Sequence, residues 1–261
     1  MMQAKLTPPE FAYLLQTLEA QKVVGVNNAG LFPTDPAVRD ELLNRGLLQL
    51  QADGWFVSAD GKISANSRLM VLVAVIANPE IVLPATHLAE SNTRQIVTYY
   101  LAAEYVVEQF QTDDGDYVLT QLPAKAALVE RLAGLFSLGE PPWTQLPALT
   151  FELATFETTL SQARSGSPEG LRQALQANDG PLEALDDLVN TIVGLKPAGK
   201  IEGAALAGQH LLDWQELALL ADSSGRQWLA RKDEGENVLE LAPAALDRFK
   251  RLFRQVLQWP N

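Results

Sequence analysis

Phe11, Leu14, Leu15 and Leu18 recur at helical spacing behind Thr7-Pro8-Pro9-Glu10, a segment with a capping Thr, a Pro at the first helical position and a Glu three residues after the cap. The spacing predicts a helix opening at residue 8. A Gly/Asn-rich loop over 25–30 follows, and Asp35-Pro36 repeats the start signal for a helix that Gly46 is expected to end near Arg45. The runs 47–50 and 55–58 flank Ala52-Asp53-Gly54 and are read as a short hairpin. Ser64 or Asn66 can cap a third helix through Ala77, stopped by Asn78-Pro79, although its apolar run would also suit a buried strand.

From about residue 81 the pattern becomes that of strands, at 81–86, 94–102, 105–111 and 116–122, with Asp113-Asp114-Gly115-Asp116 as a tight turn. A helix over 124–136 closes this half. Residues 139–148, with Gly139-Glu140-Pro141-Pro142-Trp143, are read as a linker. Helices are then predicted at 151–164, 168–177 and 181–193, strands at 201–211, 215–221, 226–231 and 237–242, and a final amphipathic helix at 244–258. The two halves, 1–138 and 149–261, thus repeat one order: helices, an antiparallel meander, a closing helix. Residues 113–124 and 233–244 superpose without a gap, matching Asp113 with Asp233, Gly115 with Gly235, Val118 with Val238, Leu119 with Leu239, Pro123 with Pro243 and Ala124 with Ala244. The expected fold is α+β, a duplicated module in which two pseudo-symmetric halves share a central sheet as one compact body.

Composition narrows the chemistry. Among 261 residues there is no Cys, and there are two His; 20 Lys+Arg stand against 32 Asp+Glu, a net charge of −12. No disulfide scaffold, thiolate nucleophile or Cys-ligated metal is possible. His87 falls in a polar loop after Pro84 and His210 ends a strand-like run, and neither is assigned a catalytic or metal-binding role. The Asp113–Asp116 segment lacks the alternating ligands and terminal Glu of a calcium loop and reads as a turn. Ser165-Gly166-Ser167 and Ser223-Ser224-Gly225 lack the Gly-x-Ser-x-Gly elbow, and no Gly-rich phosphate loop ends in Lys-Ser/Thr. No catalytic, cofactor-binding or metal-binding residue is assigned, and the chain is expected not to be an enzyme.

Residues 36–62 also admit a winged-helix reading, with helix, turn and wing hairpin, which would make a DNA- or ligand-binding regulator the alternative. Residues 1–90 carry six Lys+Arg against nine Asp+Glu, so nucleic acid is not an expected partner. The cations Arg248, Lys250, Arg251 and Arg254 of the final helix complement its dipole. The N-terminus carries no signal-peptide pattern and the longest apolar run is too short to span a bilayer, so a cytoplasmic location without membrane insertion is expected. Tyr99, Tyr100, Trp214 and Trp228 fall on strands and are the candidate protein-binding anchors; alternation turns one of Tyr99 and Tyr100 away from the core.

Several segments together resemble one family. They are Leu6-Thr7 at the first helix, Glu41-Leu42-Leu43-Asn44-Arg45-Gly46-Leu47-Leu48, Asn78-Pro79-Glu80 after the apolar helix, Leu219-Leu220-Ala221-Asp222-Ser223-Ser224-Gly225-Arg226, and Asn237 to Pro243 before the last helix. The pattern resembles the EspG family of type VII (ESX) secretion chaperones, over nearly the whole chain. The resemblance implies two quasi-equivalent α+β halves and a cytosolic, non-enzymatic chaperone without cofactors. Its implied partner is a helical secreted protein or protein pair, bound by a monomer or homodimer.

Overall fold

The computed structural model describes residues 2–59, 62–88, 94–139, 145–163, 168–176, 180–194, 196–207, 210–233 and 235–257. Twelve strands and nine helices are defined among them. In chain order they are β1 (Gln3–Leu6), α1 (Pro8–Thr17), α2 (Asn28–Leu31), α3 (Pro36–Ala52), β2 (Phe56–Ala59), β3 (Lys62–Ala65), α4 (Ser67–Ala77), β4 (Ile81–Leu88), β5 (Arg94–Ala102), β6 (Tyr105–Gln111), β7 (Tyr117–Leu122) and α5 (Lys125–Leu135). Then follow β8 (Leu149–Glu152), α6 (Leu153–Ala163), α7 (Pro168–Gln176), α8 (Leu182–Val193), β9 (Lys196–Ala207), β10 (His210–Ala221), β11 (Gln227–Asp233), β12 (Val238–Pro243) and α9 (Leu246–Leu257). The class is α+β. Each half has a four-residue strand, helices, four strands in succession and one helix, and the first also carries the β2–β3 hairpin and a further helix, α4, ahead of its four strands.

The structure forms two compact units. The first comprises Met1–Pro84, Ile96–Leu128 and Ala204–Asp213, and the second Ala85–Gln95, Val129–Gly203 and Trp214–Asn261. In the first, strands run in the order β1-β7-β6-β5-β4, with the end of β9 beside β4. There Leu206 N–H donates to the Glu80 carbonyl at 2.8 Å. Short β1 lies antiparallel to β7, pairing Ala4 with Leu119 and Leu6 with Tyr117. Its alternation is visible in the burial of Ala4 and Leu6 and the exposure of Gln3 and Lys5. Lys5 is tied to Asp116 at 2.9 Å.

The helices of this unit cover one face of the meander. In α1, Phe11, Leu14 and Leu15 are fully buried, and Phe11 meets the Tyr117 ring at a centroid distance of 4.7 Å. Asn66 is the residue that caps α4, accepting from the backbone N–H groups of Arg68 at 3.0 Å and Leu69 at 3.3 Å. Leu69, Leu72, Val73 and Ile76 of α4 are all buried in the same core.

Three sequence expectations are overturned here. Gly46 does not end α3, which runs to Ala52. A β-carbon on Gly46 would lie 2.1 Å from the Pro9 carbonyl oxygen, so glycine is required by the close approach of α1 to α3 rather than by a helix stop. The stop falls at Gly54, whose φ of 74° supplies the left-handed turn after the helix. Consequently 47–50 is helical, and the hairpin instead pairs Phe56 with Ala65 and Ala59 with Lys62. A continuous α3 also removes the turn that the winged-helix reading needs.

The third correction concerns Tyr99 and Tyr100, which are 1 % and 0 % exposed. Consecutive strand residues point to opposite faces, so both faces of β5 are covered. The same holds on its neighbours, where Val106, Val107, Glu108 and Gln109 of β6 and Tyr117 through Thr120 of β7 are buried in succession.

In the second unit the strand order is β9-β10-β11-β12-β8, with the end of β4 beside β9. At that contact Gly199 faces Thr86, and a β-carbon would lie 2.2 Å from the Thr86 carbonyl oxygen. Short β8 pairs with β12 through Leu149↔Leu241 and Phe151↔Leu239. Both Leu149 and Phe151 pack with Leu185, Leu188 and Trp228 in the core beneath α8. On α9, Phe249, Leu252 and Phe253 are buried, while Lys250 reaches Glu130 of α5 at 3.0 Å and Arg251 reaches Glu240 at 2.7 Å. Two of the clustered cations of α9 are thus committed to ion pairs.

Candidate protein-binding surface

Strand β10 begins at His210, so 212–214, expected between two strands, lies inside one. Its second half is fixed by β11, with Leu217 opposite Arg231 and Leu220 opposite Trp228. That register sets the faces. Trp214, Glu216, Ala218 and Leu220 alternate onto the side occupied by Trp228, whereas Leu217 and Leu219 turn to the other and are buried.

On the Trp228 side, α8 covers the strands. Trp228 is 0 % exposed, and its indole N–H donates to Asp187 Oδ2 at 2.9 Å. The other carboxylate oxygen of Asp187 receives the Arg226 guanidinium at 3.0 Å, and the Asp187 carbonyl accepts from the Thr191 hydroxyl at 3.0 Å. This is a satisfied buried carboxylate that fixes α8 to β11. Trp228 is therefore a core residue, as are Tyr99 and Tyr100. The Tyr100 hydroxyl donates to the Val24 carbonyl at 2.7 Å, and burial pushes its ionisation far above the usual tyrosine range.

Trp214, by contrast, is 45 % exposed. Leu211 and Leu212, separated from it by Asp213, are 57 % and 69 % exposed. On the face of Trp214, Lys200 of β9 bridges Glu202 at 2.7 Å and Glu216 at 3.1 Å. The hydrogen bond to Glu202, reinforced by Glu216, raises the ammonium pKa above its ordinary value and keeps Lys200 charged. Two carboxylates and one cation leave this cluster net negative. Within the second unit Trp214 thus stands half-exposed on the face of an acidic cluster, suited to a segment with apolar and basic side chains.

Of the four anchors read from the sequence, the structure leaves Trp214 accessible and buries the other three. Sequence reasoning missed Leu211 and Leu212, because the expected strand ended at 211 and a gap followed at 212–214, where β10 runs unbroken from His210 to Ala221. Their signal was an unbroken apolar pair beside Trp214, which alternation with a single buried face does not explain. Among the described residues, no group of three or more His, Asp and Glu side chains could hold a metal ion. No described helix is long and apolar enough to cross a membrane.

No protein-family model and no curated protein sequence matches this chain. The fold does match a solved structure: the Mycobacterium tuberculosis type VII secretion system chaperone EspG5 in complex with a PE25–PPE41 dimer. That likeness has a TM-score of 0.70 at 12 % sequence identity and covers 98 % of this chain and 95 % of that one. At such identity the likeness speaks for architecture alone. The chain has the α+β fold of a type VII secretion chaperone.

Proposed function

We propose that this protein is a cytoplasmic, non-enzymatic chaperone or adaptor that binds a helical secretion substrate of a type VII-like system and keeps it soluble for export. The observation that carries the reading is the match to EspG5 over 98 % of the chain, since that protein was determined in complex with a PE25–PPE41 dimer. The half-exposed Trp214 supports it, as an aromatic side chain able to cover part of the apolar stripe of a partner helix. The acidic cluster on its face favours partners with cations flanking that stripe.

The test is co-expression with small paired helical proteins encoded nearby, followed by co-purification through a tag on this chain. A stable complex with one candidate pair is expected, and failure with every candidate would sink the reading. If Trp214 is an anchor, Trp214→Ala weakens the complex by about 2 kcal/mol, roughly 30-fold in Kd by titration calorimetry. Unchanged affinity would place the contact elsewhere.

A further inference from the structure

Helix α3 has one packed face and one exposed face. Its inward side chains Leu43, Leu47 and Leu50 join the core of the first unit, and Gly46 meets Pro9 of α1. The opposite face, half a turn away, carries Val38, Glu41, Arg45 and Leu48, all four exposed. Val38 is 52 % and Leu48 66 % exposed, so two branched apolar side chains stand in water at the ends of this stripe. From Pro36 to Glu41 every residue is exposed, and the Asp35 side chain caps this segment by accepting from the N–H groups of Ala37 and Val38.

The four exposed positions follow a 3-4-3 spacing, the rhythm by which one helix packs along another. Their order is also self-complementary. A second copy of α3, laid antiparallel about a twofold axis level with residue 43, sets Val38 against Leu48, Glu41 against Arg45, Arg45 against Glu41 and Leu48 against Val38. Two apolar contacts then flank two pairs of opposite charge. The adjoining positions Ala37, Leu42, Asn44 and Gln49 are uncharged, so no like charges meet beside the stripe. Charge also selects the occupant. A parallel copy would set Glu41 against Glu41 and Arg45 against Arg45, and a partner of one charge sign would satisfy one of these residues and repel the other.

We propose that α3 is a homodimerisation helix, through which two chains associate as an antiparallel α3–α3 pair closed by two Glu41–Arg45 and two Val38–Leu48 contacts. A single helix pair of this length makes a small contact, so the dimer is reversible and dissociates on dilution. It does not depend on the helical partner proposed above, whose candidate contact, Trp214, belongs to the other unit.

Analytical ultracentrifugation of the full chain from about 1 to about 300 μM tests this, in about 0.15 M salt to screen the repulsion between two chains of net charge −12. The mass is expected to rise with concentration from 28.5 kDa towards twice that value. Glu41→Arg sets two cations face to face at both central contacts, and Arg45→Glu sets two anions there; each is expected to weaken association by about tenfold or more. An equimolar mixture of the two variants is expected to recover it, because opposite charges meet again across the mixed pair. Each variant chain still holds two like charges one turn apart, so an effect within the helix would not be relieved by mixing. A monomer throughout the range overturns the proposal, as does a dimer indifferent to both variants. So does a monomeric chain that loses its helical partner in these variants, which would assign the face to that partner. Because the chain has no Cys, a covalent readout is also open: mixed Val38→Cys and Leu48→Cys chains are expected to form a disulfide-linked pair. Val38→Cys alone is not, since its two copies would lie about 15 Å apart along the helix pair. Equal cross-linking in both cases refutes the register.

Discussion

Gly46 shows how one residue can be misread by local rules. A glycine after a helical run is a common stop, but here its missing side chain admits the Pro9 carbonyl, and the left-handed conformation belongs to Gly54. Gly46→Ala is accordingly expected to destabilise the protein by about 1–3 kcal/mol through overpacking, read as a lower urea midpoint. Trp228 makes the converse point. Its burial was not visible from a strand pattern, and its value lies in one N–H given to Asp187. Trp228→Phe leaves that carboxylate oxygen without its donor and is expected to cost about 1–3 kcal/mol by chemical denaturation. The fluorescence of the accessible Trp214 would remain to report the transition.

At the scale of elements, agreement follows from where signals are local. The Thr7–Glu10 box, Asn66 as one of two candidate caps, the Asp113–Asp116 turn, the strands of the first meander and the last two of the second were legible because caps, turns and periodicity act within a few residues. Asn66→Ala removes the acceptor of two N–H groups at the start of α4 and is expected to cost about 0.5–2 kcal/mol, measured by thermal or urea unfolding. The elements that escaped notice, β1 and β8, are four residues long and exist because β7 and β12 each offer an edge to pair with. Nothing in Gln3–Leu6 or Leu149–Glu152 by itself demands a strand. Likewise the extent of α3 depends on α1, which supplies the surface that Gly46 and Leu50 bury against.

For the molecule as a whole, the acidic charge and the absence of Cys restrict the chemistry, and the fold turns that restriction into a positive proposal of partner binding. The half-exposed Trp214 on β10 allows stability to be separated from the proposed binding. Leu212→Ser together with Trp214→Ala is expected to leave the urea midpoint within about 0.5 kcal/mol of wild type, because surface substitutions away from caps and cores act weakly. The same pair should abolish co-purification of the helical partner. A variant that unfolds early instead would mark these side chains as structural.

By itself, the sequence determined the α+β class, the order of helices and meanders, the caps, the turns and the lack of nucleophile and metal motifs. Each of these is written in short-range spacing, which a linear reading can follow. Tertiary structure alone decided which aromatic side chains remain in solvent: Tyr99 and Tyr100 alternate as a strand must, yet both are buried, whereas Trp214 is left accessible. It also decided that Glu10, an ordinary capping residue by its position, is buried, with its Oε1 left without a hydrogen-bond partner. Burial is a property of what packs against a residue from far along the chain, and no local pattern encodes it.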